Sequence, residues 1–470
     1  MPLEDLSHLG RARHFWIIGL GSVAQGLLPL LRERLALGPD QVTIIAPDPV
    51  AGFVNGEFGR YECLALDAEN YQQVLGARLR PGDMLISVAN TVCSLSLMRL
   101  AQERGALYLD TVIEPWDGWY ENAAFSHSER SNYRLREQAL QVRGSVTAVS
   151  CHGANPGLVS HLAKLAIGHV AERLELPAQT PRSQAEWAAR ARAIDLRLIQ
   201  VAEYDAQQTT RPRAPHQFFN TWSADGFISE AGQPAELGWG THERALPPDG
   251  HRHGFGCDAA IYLAKPGYQV RVQSWVPRVG VYQGYLITHN EAISLPDFLT
   301  LRDADGRVLY RPTCYYAYRP SDATIASTHD LAARFWQRAD TRDGVLIHDV
   351  AAGDDTLGVL LGYGRHGCYW YGSRLSIAEA RRLNPQTNAT TLQVAASVFA
   401  GVVWALENPE RGVVEPEQMD SARVLALARP YLGEVFGEFS DWTPLATRDP
   451  MFARPCDPDD PWQFSNMRLD

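Results

Sequence analysis

The sequence predicts an α/β protein, a Rossmann-type doubly wound parallel sheet followed by a second, larger α+β substrate domain. Three observations predict it. The first 150 residues alternate short apolar runs with amphipathic ones, the rhythm of βαβ units. The first apolar run passes straight into a G-x-G-x-x-A turn. Beyond about residue 152 that rhythm gives way to longer β-like stretches and a polar, helix-prone segment.

In chain order, strands are expected near 14–19, 42–46, 61–66, 84–88, 106–110 and 146–150, with helices between them. Leu27, Leu28, Leu30, Leu31 and Leu35 place an apolar face on a helix from Val23 to Leu37, which Gly38-Pro39 ends. A helix should follow from Pro156 to about Val170, then a helix-prone segment over 182–197. β-like stretches follow at Arg197 to Tyr204, Tyr268 to Val276, Tyr282 to Thr288, Val345 to Val350 and Leu357 to Gly362. Asn388 stands where an N-cap would, ahead of an apolar helix to Leu406. The expected division is a nucleotide-binding domain over 1–151, an α+β domain over 152–385, and C-terminal helices from 386 to 470 that pack back on both. The acidic stretch Asp457 to Asp460 reads as a solvated end.

Composition narrows the function classes. A chain of 470 residues, 45% hydrophobic and 21% charged, buries a substantial core without disulfides or metal. Its seven cysteines are scattered with no C-x-x-C pair, which suits reduced thiols in a cytoplasmic protein. The N-terminal ten residues carry acids and no apolar run follows them, so no secretory leader is expected. The longest apolar run, Val394 to Leu406, falls short of the roughly 20 residues a membrane span needs, so no membrane partner is expected. A net charge of −11 argues against a nucleic-acid partner and favours cationic ligands.

The segment His14 to Ala24 carries the nucleotide signature: an apolar strand, then Gly19-Leu20-Gly21-Ser22-Val23-Ala24 opening a helix. Gly19 permits the tight turn, Gly21 lets backbone approach a pyrophosphate, and Ala24 lets the helix pack close to the sheet. Helix-start N–H groups at Ser22 and Val23 offer donors to phosphate. Asp48 follows the next strand, where a carboxylate binds ribose hydroxyls and disfavours a 2′-phosphate, so the expected cofactor is NAD. A phosphate-binding P-loop is excluded, because Leu27 and Leu28 stand where Lys and Ser/Thr must be.

Three further stretches address the substrate: Asp110-Thr111-Val112-Ile113-Glu114-Pro115-Trp116 after a strand, His152-Gly153-Ala154-Asn155-Pro156-Gly157 feeding a helix, and Glu203 through Trp222 to Glu230. Together with the glycine turn they resemble the bacterial homospermidine synthases, relatives of saccharopine dehydrogenase, over most of the chain. The resemblance implies a homodimer in which bound NAD takes a hydride from putrescine, or from spermidine, and returns it after a second amine has displaced ammonia, or diaminopropane. It also implies that Glu114, Asn155, Glu203, Trp222, Glu230 and His289 line the substrate pocket, with Asp110, Thr111, Asn155 and Pro156 beside the cofactor and Trp116 beside the substrate. One departure stands out: where that family presents an acid after the strand at 84–88, this chain has Asn90.

Chemistry supports the same residues. A diamine is a dication, and its removal from water requires carboxylates at each ammonium, a task for Glu114, Glu203 and Glu230. Trp222 offers a cation–π face. An amine must lose a proton before reacting, so a base is required, with Glu203 ranked ahead of Glu230 and His289. Taken singly, each acid reads as a surface residue, Trp222 as core and His289 as a structural histidine. Their coincidence within motifs carries the argument. His251-Arg252-His253 with Cys257 lacks a fourth ligand for zinc and reads as a polar loop, so no metal is expected. Two other readings stay open. One is a reductase of the carboxynorspermidine or saccharopine dehydrogenase type, whose carboxylated substrate would call on Arg211 and Arg213. The other is a non-catalytic NAD-binding sensor.

Overall fold

The computed structural model describes residues 3–48, 56–365, 367–446, 448, 451 and 454–470. Its first layer is a sheet whose strands β1 (Phe15–Ile18), β2 (Val42–Ala46), β3 (Arg60–Cys63), β4 (Met84–Ser87), β5 (Leu107–Asp110) and β6 (Ala148–Val149) all run parallel, in the spatial order 3-2-1-4-5-6. Strands β1, β2, β4 and β5 are buried along their whole length, the continuous apolar pattern of a parallel sheet covered on both faces. Alternation within β1 assigns the two faces. Phe15 and Ile17 join the core under the helices Ser22–Leu35 and Ala389–Glu407, whereas Trp16 and Ile18 face the helix Ser94–Arg104. Gly26 lets the first two helices meet, since a Cβ there would lie 2.7 Å from the Thr387 side chain and 3.2 Å from Ala395.

The second layer is a mixed sheet of ten strands among the described residues, centred on β7 (Leu196–Asp205). β7 pairs parallel with Thr313–Arg319 on one side and antiparallel with Asp354–Tyr363 on the other. The stretch expected as one strand at Val345 to Val350 is divided between two neighbours: Arg342–Val345 pairs with Gln217–Asn220, and Val350–Ala352 with Gln208–Thr209.

The C-terminal segment is not helices alone. Val413–Val414 adds a seventh parallel strand beside β6, and Glu434–Ser440 adds an edge strand to the second sheet, so residues beyond 386 stitch the two sheets together. Asn388 caps the helix Ala389–Glu407 by accepting from the Thr391 N–H. That helix is long and apolar enough to cross a membrane, yet 94% of it is buried in the core. The acidic stretch near Asp460 is not a solvated end. Asp460 pairs with Arg197 at 2.7 Å, and Trp462, Phe464 and Met467 are buried against the second sheet. Nor is His251-Arg252-His253 a polar loop: Gly250–Arg252 is an edge strand, and His253 is buried, stacked on Tyr133 at 3.9 Å and facing Glu236 at 3.3 Å. No group of three potential metal ligands is found among the described residues.

Candidate active site

A cleft of about 680 Å³ runs along the carboxyl ends of β1, β2, β4 and β5 and is closed on its far side by the second sheet. Its nucleotide end follows from the glycine turn. Gly19 has φ +100°, and a Cβ there would lie 3.0–3.1 Å from the backbone of Val88 and Ala89. Gly21 differs: nothing lies within 4 Å of where its Cβ would be, so the turn leaves a cradle that a larger residue would fill. Helix-start N–H groups at Ser22 and Val23 border this space, and exposed Asp48 lies at its rim after β2. An open cradle, a helix N-terminus and a carboxylate fit the pyrophosphate and ribose of NAD.

Two residues expected at the cofactor do not line the cleft. Ala24 is fully buried in the helix–sheet core. Asp110 is buried behind β5, where its carboxylate accepts from the Cys151 N–H at 2.6 Å and the Tyr108 hydroxyl at 2.9 Å. Burial holds this carboxyl up at about 6, against the pull of those donors. Asp110 thus fixes the start of the loop carrying Asn155, while Thr111, Asn155 and Pro156 do reach the cleft.

The other end gathers residues from both sheets. Glu203 on β7 is 2% exposed, and its Oε2 accepts from Asn155 Nδ2 at 2.9 Å and from the Tyr316 hydroxyl at 2.6 Å. Burial raises its carboxyl to about 7, the two donors opposing that rise. Glu230, near the end of the helix Ala224–Gly232, accepts from His289 Nε2 at 3.1 Å, and Glu291 accepts from His289 Nδ1 at 3.3 Å. Burial alone would strip the His289 proton, but the two carboxylates overcome it and hold the imidazolium up to about 10. His289 is therefore a cation at neutral pH, not a free base.

Glu114, following β5, is 4% exposed and lines the cleft. Among the described residues no donor reaches its carboxylate. Burial, then the nearby charges of Glu230 and Asp110, raise it well above the ordinary carboxylate range, so it gains most from a cation brought by a ligand. Trp222 presents its indole between the two ends, packed over Gly226, where a Cβ would lie 2.6 Å from the ring. Its carbonyl accepts from the Ser22 hydroxyl, which ties the glycine turn to the other end of the cleft. Asn90 makes a second tie, donating to the Ser223 Oγ at 2.9 Å, and Trp116 lies in the cleft wall 5.4 Å from the Tyr71 ring.

Arg211 and Arg213 are not in this cleft; they pair with Asp349 and Asp330. Arg338 is the guanidinium among the described lining residues, and it is paired with Glu121 at 3.0 Å. Sequence reasoning missed Tyr316 and the partnership of Glu291 with His289. The run Thr313 to Arg319 has strand composition, with Tyr316 and Tyr318 at period two, which was the available signal.

Comparisons with known proteins agree with this geometry. Residues 15–149 match the family described as the saccharopine dehydrogenase NADP binding domain, and residues 153–439 the saccharopine dehydrogenase C-terminal domain. The chain is 44% identical over 461 residues to a homospermidine synthase of Blastochloris viridis, covering 96% of each chain. It is 43% identical over 464 residues to one of Mesorhizobium japonicum, covering 96% of this chain and 95% of the other. The crystal structure of the homospermidine synthase of Legionella pneumophila in complex with NAD superposes with a TM-score of 0.91, at 42% identity over 98% of both chains. With this identity along nearly its whole length and the same fold, the chain belongs to the homospermidine synthase family.

Proposed function

We propose that this protein is an NAD-dependent homospermidine synthase that couples two molecules of putrescine with release of ammonia. The observation that carries this reading is the convergence of Glu114, Glu203 and Glu230 with the Trp222 indole in one cleft beside the glycine turn. Such a pocket suits a dication and, among the described residues, offers no unpaired cation to a carboxylated substrate.

NAD supplies the redox chemistry, accepting a hydride from the carbon that bears the reacting amine and returning it at the end, so no net oxidation occurs. Glu114 takes the far ammonium of the diamine. Glu203, poised near neutrality, takes the proton from the reacting amine. Loss of hydride leaves an iminium cation, which the Trp222 face stabilises by about 0.5–2 kcal/mol. The amine of a second putrescine adds to the iminium carbon and gives up a proton. The first nitrogen takes a proton and leaves as ammonia, and the new iminium receives the hydride to give the secondary amine. Charges balance within the cleft: two diamine dications become one triamine trication and one ammonium. Glu203 can therefore return to the leaving nitrogen the proton it first took from it, and is then free to accept the one the incoming amine gives up. The His289 imidazolium fixes Glu230 and Glu291 without itself acting as base.

Several features support the rest of the reading. Asp48 favours NAD over a 2′-phosphorylated cofactor. All seven cysteines are free thiols, which supports a cytoplasmic location. Assembly as a homodimer, which the family resemblance implies, belongs to the same proposal.

The test is to incubate the purified protein with putrescine and a trace of NAD⁺, following polyamines by mass spectrometry and NADH by absorbance. Homospermidine accumulating far beyond the cofactor, without net NADH, is expected. Stoichiometric NADH with no coupled amine would sink the proposal, and so would NAD binding with no turnover of any amine.

A further inference from the structure

Glu203 is held by two donors, and both reach the same oxygen. Asn155 Nδ2 and the Tyr316 hydroxyl converge on Oε2 at 2.9 and 2.6 Å, and among the described residues no donor reaches Oε1. The side chain nevertheless lines the cleft. The two oxygens are thus unlike: one is committed to the protein, and the other is left with its lone pairs for a ligand.

Tyr316 is placed for this by sheet register. On Thr313–Arg319, which runs parallel to β7, Tyr318 stands opposite Glu203 and Tyr316 opposite Val201, so Tyr316 and Glu203 are diagonal neighbours on one face. The Tyr316 ring is pinned from two sides, stacked on Tyr318 at 5.2 Å and lying 4.4 Å from the His289 imidazole ring. A ring fixed in this way has little freedom to turn its hydroxyl from Oε2, and the electron-rich phenol suits the cation beside it. Plain core packing would explain the burial of Tyr316, but not a hydroxyl aimed at the same oxygen that Asn155 already holds.

We infer that Tyr316 is a positioning residue for the proposed base: by donating its hydroxyl to Oε2 of Glu203, it assigns Oε1 to proton exchange with the substrate amine. The inference rests on the reading of Glu203 as base given above. The proton moves from the amine nitrogen to Oε1 and returns from Oε1 to the leaving nitrogen, while the Tyr316 O–H bond stays intact throughout. Its hydrogen bond also steadies the ionised carboxylate against the burial that disfavours it.

Two variants of opposite sense test this. Tyr316→Phe keeps the ring and removes the donor, whereas 3-fluorotyrosine at position 316 keeps the shape and strengthens the donor. For Tyr316→Phe, kcat should fall about ten- to a hundred-fold with KM for putrescine within about three-fold, as for a misplaced catalytic group. The acid limb of its kcat–pH profile should move to higher pH. For the fluorinated protein that limb should move to lower pH. In parallel, ¹³C-carboxyl glutamate NMR, with the Glu203 resonance assigned by its loss in Glu203→Gln, should show the same opposite displacements without any substrate present. An unmoved Glu203 titration in both variants would overturn the inference, as would a lowered kcat with an unmoved acid limb, which is the signature of packing alone. Should the wild-type protein make no homospermidine, the proposed function falls, and the NMR titration still decides whether Tyr316 governs Glu203.

Discussion

His289 Nε2 lies 3.1 Å from Glu230 Oε2, and on its other side Nδ1 lies 3.3 Å from Glu291, so one imidazolium holds two buried carboxylates in place. The folded protein binds the His289 proton more tightly than the unfolded chain does, holding it up to about 10 against an ordinary 6.5. The stability this contributes is fully present below about pH 6.5 and is lost as pH rises through about 10. Replacing His289→Ala leaves Glu230 and Glu291 facing a gap. It should destabilise the protein by about 3–5 kcal/mol near neutral pH, the usual cost of removing one partner of a buried ion pair. Urea unfolding of both proteins should show the difference shrinking above pH 10, and an equal difference at both pH values would contradict the assignment.

Glu203 behaves in the opposite functional sense. Its carboxyl titrates at about 7 instead of an ordinary 4.5, because burial disfavours the charge. Activity that needs the ionised base should therefore decline as pH falls below about 7. Glu203→Gln should lower kcat by about 10²–10⁴-fold. The sign for stability is reversed: with the folded value above the unfolded one, this group's contribution is present below about 4.5 and is lost as pH rises through about 7. Thermal melting at pH 8 should accordingly find Glu203→Gln at least as stable as wild type despite its lost activity.

Among the described residues no cation pairs with Glu114. Glu114→Gln should raise KM for putrescine by about ten- to a hundred-fold, the equivalent of one charge-assisted hydrogen bond, with a smaller change in kcat. Because burial, then Glu230 and Asp110, keep this carboxyl well above the ordinary range, KM of the wild type should fall as pH rises and that dependence should vanish in the variant. Steady-state kinetics across pH measures both. An unchanged KM would remove Glu114 from the diamine site.

Trp222 depends on a glycine it packs against. A Cβ at position 226 would lie 2.6 Å from the indole, so Gly226→Ala should push the ring toward the substrate. Putrescine turnover should drop about ten-fold or more, while NAD affinity, set at the other end of the cleft, should change little. Equal loss of both in calorimetry and kinetics would point to general misfolding instead.

The nucleotide half was legible because its signals are contiguous: β1, the glycine turn, the helix Ser22–Leu35 and Asp48 after β2 all lie within 35 residues and obey local periodicity. Motif resemblance also named residues that line the cleft, from Glu114 to His289. What the sequence by itself determined is which residues are present and which stretches of the nucleotide half form strands. Only the tertiary structure decided which oxygen of Glu203 is occupied, since Tyr316 lies 113 residues away and meets it through strand register, and a one-residue slip would turn either side chain to the opposite face. The same limit hid the burial of Asp110 behind the sheet, the partnership of Glu291 with His289, and the return of the C-terminal segment as a strand in each sheet. Local pattern fixes an element, whereas protonation and partnership depend on what the packed neighbours exclude from water.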